Sequence, residues 1–190
     1  MTSLLLIIDA QRPFYDTTLQ IATYGAPVVD AAAAERHRRT LAATIGAARQ
    51  QQIPILSVLI PEAGPLIQPL EQLLIDAPRY VKPTRETMNA LEGTGVLRHE
   101  PDAIGYDVAL ADLLRRFKVT CVGLAGLYTS ACVRYTALAL KEDYELVTAE
   151  ALLLDKEQRT RMPRQDRLLY SGLGALRENP IEVVRDLATR

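Results

Sequence analysis

Short, unbroken apolar runs separated by helical patterns constrain this chain more than any other feature. Leu4–Ile8 is continuously apolar and ends on Asp9. A strand without polar alternation must be covered on both faces, which is the condition of a parallel sheet layered between helices. A second run, Ile53–Ile60, carries Pro54 near its start, where a missing donor is tolerated. Between the two, Ala31–Gln52 reads as a helix with Asp30 as its N-cap and Leu41, Ile45 and Ala48 at helical spacing. Arg79–Val81, Val119–Ala125, Leu146–Thr148 and Ile181–Val184 supply four further strand candidates. Asp107–Phe117 is amphipathic, with Leu110, Leu113, Leu114 and Phe117 on one stripe, and further helices are expected over Ala131–Leu140 and around Arg159–Leu169. The expected fold is α/β: a three-layer, doubly wound, mostly parallel sheet of about six strands with helices on both faces. With 190 residues and no break in composition, residues 1–190 are expected to form a single domain.

Charge narrows the range of partners. The formal net charge is −1 and the basic residues are scattered, so the concentrated positive face that nucleic acid requires is missing. The Met1–Ile8 run is too short to span a membrane and lacks a basic leader, so a cytoplasmic protein that takes a small-molecule substrate is expected. Two cysteines, Cys121 and Cys132, cannot build a disulfide framework and have no zinc-finger spacing. Both are expected as free thiols, Cys121 as core packing. No cofactor and no metal are expected.

Cys132 stands at the joint between the Val119–Ala125 run and the helical stretch that follows, with Gly126-Leu127-Tyr128-Thr129-Ser130 between them. A thiol in the first turn of a helix feels the positive end of the helix dipole and unpaired backbone N–H groups, both of which favour thiolate. In doubly wound sheets ligands bind outside the carboxyl ends of the strands. Asp9, Lys82 and Cys132 each follow a strand candidate and so belong to that edge. Taken singly, Asp9 also reads as a turn residue, Lys82 as a solvated lysine and Cys132 as a small core residue.

The motifs Leu6-Ile7-Ile8-Asp9-Ala10-Gln11 with Phe14, then Val81-Lys82, then Gly126-x-x-Thr129-x-x-Cys132-Val133-x-x-Thr136-Ala137 occur in order. Together they resemble the isochorismatase-like cysteine hydrolases, which include nicotinamidases and N-carbamoylsarcosine amidases. The resemblance implies an Asp9-Lys82-Cys132 catalytic triad that cleaves a small amide or carbamoyl C–N bond through a thioester. In that scheme Asp9 takes the Cys132 proton and Lys82 holds the carboxylate. The backbone N–H groups of Tyr128 and Cys132 map to the oxyanion hole, and a cis peptide is expected at Leu127-Tyr128. Substrate contacts are expected from Gln11, Phe14, Tyr106 and Leu127, and assembly as a homodimer or larger homo-oligomer follows by the same analogy.

Some features depart from the family pattern. Nicotinamidases usually carry an Asp and several histidines after the second strand that hold a metal. Ser57–Ala63 contains no histidine, and the chain's two, His37 and His99, are far apart in sequence. His37, within Glu35-Arg36-His37-Arg38-Arg39, reads as a solvated side chain, and His99 as part of a loop over the site. Glu150-Ala151 stands where relatives have Asp-Ala. The segment Ala103-Ile104-Gly105 replaces the family's Ser-Ala-Phe, which leaves Tyr106 to supply an aromatic wall. Leu91–Pro101, with two glycines and a proline, reads either as a surface loop or as a mobile lid contributing Arg98 or His99. Arg85 and Glu86 stand just past Lys82. Two other functions stay open: an isochorismatase-type vinyl ether hydrolase, and a degenerate member that binds a small metabolite.

Overall fold

The computed structural model describes residues 2–99, 104–156 and 162–190. Among these residues there are nine strands and seven α-helices. The strands are β1 (Thr2–Ile8), β2 (Ile55–Leu59), β3 (Arg79–Val81), β4 (Gly95–Arg98), β5 (Tyr106–Val108), β6 (Val119–Leu127), β7 (Glu145–Ala149), β8 (Leu153–Leu154) and β9 (Leu176–Arg177). The helices are α1 (Thr17–Tyr24), α2 (Ala31–Gln50), α3 (Leu70–Leu73), α4 (Leu110–Arg116), α5 (Cys132–Leu140), α6 (Arg164–Gly172) and α7 (Pro180–Ala188). The sheet order is β5-β4-β3-β2-β1-β6-β7-β9, with β8 paired to the end of β6. Pairing is parallel throughout the centre and antiparallel only where β4 and β5 extend one edge.

The period-2 geometry of β1 divides the core. Leu5 and Ile7 pack with Ala34, Leu41 and Ile45 of α2 and with Val183 and Leu187 of α7. Leu4, Leu6 and Ile8 pack on the other face with Leu110 and Leu114 of α4, Val133 and Ala137 of α5, and Tyr170 of α6. A continuous apolar run is therefore consumed on both faces, as its pattern requires.

From β1 the chain passes to β2 on one side, and the sheet continues through β6 on the other. The order thus reverses between β1 and β6, which makes the carboxyl ends of these two strands a topological switch point. At that place Gly126 adopts φ +126, and a Cβ there would lie 2.0 Å from the Ile8 carbonyl oxygen. Only glycine lets β6 run this close to β1 as the chain enters the Cys132 loop.

Several expectations need correction. The sheet has nine strands rather than about six. Ile181–Val184 is not a strand but lies inside α7: the Asn179 side chain accepts from Glu182 N at 3.1 Å and Pro180 occupies the first turn. Leu176–Arg177 takes the strand position, paired with β7. The Asp107–Phe117 helix begins only at Leu110, because Tyr106–Val108 joins the sheet. The start of the Arg159–Leu169 helix lies outside the described residues, and α6 begins at Arg164. No helix among the described residues is long and apolar enough to cross a membrane.

Candidate active site

Two strand ends and one helix start deliver three side chains to one buried point. Asp9 follows β1 in a left-handed turn (φ 54), its N–H donating to Val58 O and its carbonyl accepting from Gln11 N, both at 2.8 Å. Lys82 follows β3, and its N–H continues the parallel register by donating to Leu59 O at 2.9 Å. Cys132 is the first residue of α5. Lys82 Nζ lies 2.8 Å from Asp9 Oδ2 and 3.6 Å from Cys132 Sγ. The lysine and aspartate side chains are 0% and 3% exposed, so their ion pair is shielded from water. No N–H or O–H donor among the described residues reaches Asp9 Oδ1, and the Cys132 thiol is the remaining group that interacts with this carboxylate.

Burial and charge set the protonation of the resting site. Burial raises the Asp9 carboxyl above its ordinary value, against the opposing pull of Lys82 and the thiol. The Cys132 thiol is pushed up to about 12, first by burial, then by the negative Asp9, with Lys82 offsetting part of the rise. Lost solvation and the adjacent carboxylate thus oppose the thiolate that the start of a helix favours. Burial favours the protonated thiol and raises the proton affinity of the carboxylate beside it. Cys121 is buried in the core, its thiol pushed up to about 11 by burial.

The Leu127-Tyr128 peptide is cis, as expected. The Tyr128 ring packs edge-on against Phe14 at 5.9 Å between centroids, and Lys156 Nζ sits 5.2 Å from its ring centre. Phe14, a core residue, thus packs against the first residue of the loop that leads to Cys132. The Gln11 amide is engaged within the protein: its Nε2 donates to Ile60 O and Gly64 O, and its Oε1 accepts from Ile60 N at 2.8 Å, so it pins the loop after β2. The Leu127 side chain is fully buried in the core and contributes only backbone to this edge. Tyr106 is 44% exposed on the outermost strand β5, two strands beyond the one that carries Lys82, and is no wall of the site.

The lid reading is also corrected. Gly95–Arg98 is strand β4, and Arg98 pairs with Arg79 at the start of β3, the edge opposite Lys82. His99 lines an apolar cleft of about 310 Å³ at that opposite edge with Ile55, Leu113 and Phe117. Glu100, Pro101 and Ala103 lie outside the described residues. Arg85 and Glu86 are exposed.

His37 is 4% exposed rather than solvated. Its Nε2 donates to Leu152 O at 2.9 Å, and its Nδ1 accepts from Tyr15 Oη at 2.9 Å, the assignment a neutral ring requires. Glu150 accepts from Met162 N and pairs with Arg167, so it anchors the start of α6. Among the described residues no group of three or more His, Cys, Asp or Glu side chains is arranged to hold a metal ion.

Sequence reasoning missed Asp155. Its carboxylate accepts from Ser130 N at 3.0 Å and from Ser130 Oγ at 2.8 Å, under the loop that leads to Cys132. The available signal was positional: Asp155 ends the apolar run Leu152–Leu154, as Asp9 ends Leu4–Ile8.

Solved structures share this fold. The octameric hydrolase of unknown specificity that is the YcaC gene product of Escherichia coli is similar at TM-score 0.67 and 17% identity, covering 100% of this chain and 80% of that one. N-carbamoylsarcosine amidase from Thermoplasma acidophilum is similar at 0.63 and 17%, covering 95% and 97%. The nicotinamidase SaPncA from Staphylococcus aureus is similar at 0.62 and 16%, covering 94% and 98%. No curated protein matches the sequence. The family model described as the isochorismatase domain matches residues 3–155, a span that runs from β1 past α5 and takes in all three gathered side chains. With most of its sheet and the whole of this buried cluster inside that match, the chain belongs to the isochorismatase domain family.

Proposed function

We propose that this protein is a cysteine hydrolase that cleaves the C–N bond of a small amide or carbamoyl compound. The observation that carries the reading is the buried contact of Lys82 Nζ with both Asp9 Oδ2 and Cys132 Sγ. Asp9 accepts the thiol proton as sulfur attacks the carbonyl carbon, and Lys82 keeps the carboxylate in place and adds positive charge beside the sulfur. The tetrahedral oxyanion is bound by the backbone N–H groups of Tyr128 and Cys132. When the C–N bond breaks, the proton on Asp9 passes to the departing amine and leaves a thioester on Cys132. Asp9 then takes a proton from water, whose oxygen attacks the thioester; the carboxylic acid departs and the proton returns to sulfur. A thiol that rests protonated fits this sequence, because the proton is handed over only as the substrate carbon is attacked.

Ammonia release from a panel of small primary amides, ureas and carbamoyl compounds tests the proposal. Wild type is expected to turn over at least one class, and Cys132→Ala to fall to background. Turnover that survives in Cys132→Ala would point to an isochorismatase-type reaction, and silence across the panel to a binding role. Association into a homo-oligomer is proposed by analogy with the octameric E. coli protein, and light scattering on the eluted protein checks it.

A further inference from the structure

We propose that Asp155 is a positioning residue for this reaction: it fixes the backbone between Tyr128 and Cys132 so that their N–H groups converge on the developing oxyanion. The inference rests on the cysteine-hydrolase reading above. The backbone of the loop from Tyr128 to Cys132 is held at several points. Thr129 N donates to Leu154 O at 3.1 Å, and Thr129 O accepts from Tyr170 Oη at 3.1 Å. Ala131 N and Val133 N both donate to Tyr128 O, at 3.0 and 3.2 Å. Ser130, midway along the loop, gives both its N–H and its hydroxyl to the two oxygens of Asp155. These bonds engage the N–H groups of Thr129, Ser130 and Ala131, and the proposal gives those of Tyr128 and Cys132 to the oxyanion.

Asp155 suits this task because of where it starts. Leu153–Leu154 is strand β8, paired in parallel with Gly126–Leu127, so the residue after it is carried by the same sheet that carries Asp9. Asp155 is 3% exposed, which leaves little water to compete for its oxygens. A two-point grip fixes the rotation of the Ser130 peptide as well as its position. Ser130 is two residues from each donor, so a rotation there would move both N–H groups. Misplacing reacting partners by about 1 Å costs on the order of 10²-fold in rate.

Two reactions of the same sulfur separate positioning from general damage. With 4-nitrophenyl acetate the S–C bond forms through a tetrahedral oxyanion, the acyl C–O bond breaks, the thiol proton passes to Asp9 and 4-nitrophenolate leaves. Alkylation by iodoacetamide displaces iodide from a saturated carbon and forms no oxyanion at a carbonyl. Asp155→Ala is expected to slow acylation of Cys132 by about 10- to 100-fold while alkylation stays within about twofold of wild type. Asp155→Asn keeps an acceptor for Ser130 N–H and is expected to recover most of the lost rate. Ser130→Ala, which keeps the backbone contact, is expected to show a smaller loss confined to acylation. Wild-type acylation in Asp155→Ala, or an equal fall in both reactions, overturns the proposal. If Asp155→Ala does not fold, Ser130→Ala decides, and unchanged acylation there overturns it. Equal acylation of wild type and Cys132→Ala instead marks the failure of the cysteine-hydrolase reading itself.

Discussion

Asp9 combines a left-handed backbone (φ 54) with a carboxylate closed off from water. Its neighbours fit the base role proposed for it: Lys82 lies 2.8 Å from its carboxylate, while burial keeps its proton affinity above that of a solvated aspartate. The consequence is a sign for the pH profile. Protonating Asp9 removes the acceptor for the Cys132 proton, so kcat/KM is expected to fall as pH drops through a value above the ordinary carboxylate range. Asp9→Asn is expected to lower kcat by about 10²–10⁴-fold; a profile on the active substrate, with this variant beside it, checks both. Asp9 and Lys82 stand after strand candidates and Cys132 at the start of a helical stretch, and the ordered motifs around them singled the three out together. The placements of Gln11 and Tyr106 were not legible. Nothing in the sequence says that the Gln11 amide is consumed by Ile60 and Gly64, or that Tyr106 lies on an edge strand.

Among the elements, the centre of the sheet followed from pattern and the periphery did not. Leu4–Ile8 and Val119–Ala125 have no polar alternation, so burial on both faces was the only outlet for them. Ile181–Val184 is too short for periodicity to distinguish strand from helix. Its capping signals decided the matter: Asn179 accepts from Glu182 N, Pro180 sits in the first turn, and Val183, Val184 and Leu187 then face the core at helical spacing. Asn179→Ala is expected to destabilise the protein by about 1 kcal/mol, read from the midpoint of urea unfolding with an unchanged slope. The β4–β5 hairpin was hidden for a different reason. Its strands are three and four residues long, half-exposed at a sheet edge, and they formed from a segment rich in loop residues.

At the scale of the molecule, His37 ties α2 to the segment that leads to Asp155. Its ring donates to Leu152 O and accepts from Tyr15 Oη, and burial lowers its pKa from 6.5 to about 4. Its folded-state value lies below the unfolded one, so between these values the unfolded chain binds the proton more readily. The contribution is therefore complete above about pH 6.5 and is lost as pH falls toward 4. Between pH 7 and pH 5 wild type is expected to lose about 2 kcal/mol that His37→Gln does not lose, measured as the difference between their urea-unfolding free energies. In sequence His37 stands among charged residues of a helix and read as solvated. Only the packing of that helix against residues 150–154 shows which way the ring faces.

The sequence by itself determined the layered parallel core, because continuous apolar runs must be covered on both faces, and its ordered motifs pointed to Asp9, Lys82 and Cys132. The tertiary structure alone decided the burial of Cys132 beside Asp9 and Lys82, the occupation of Gln11 and His37, and the grip of Asp155 on Ser130. Each of these depends on desolvation and on partners distant in the chain, which no local pattern of residues encodes.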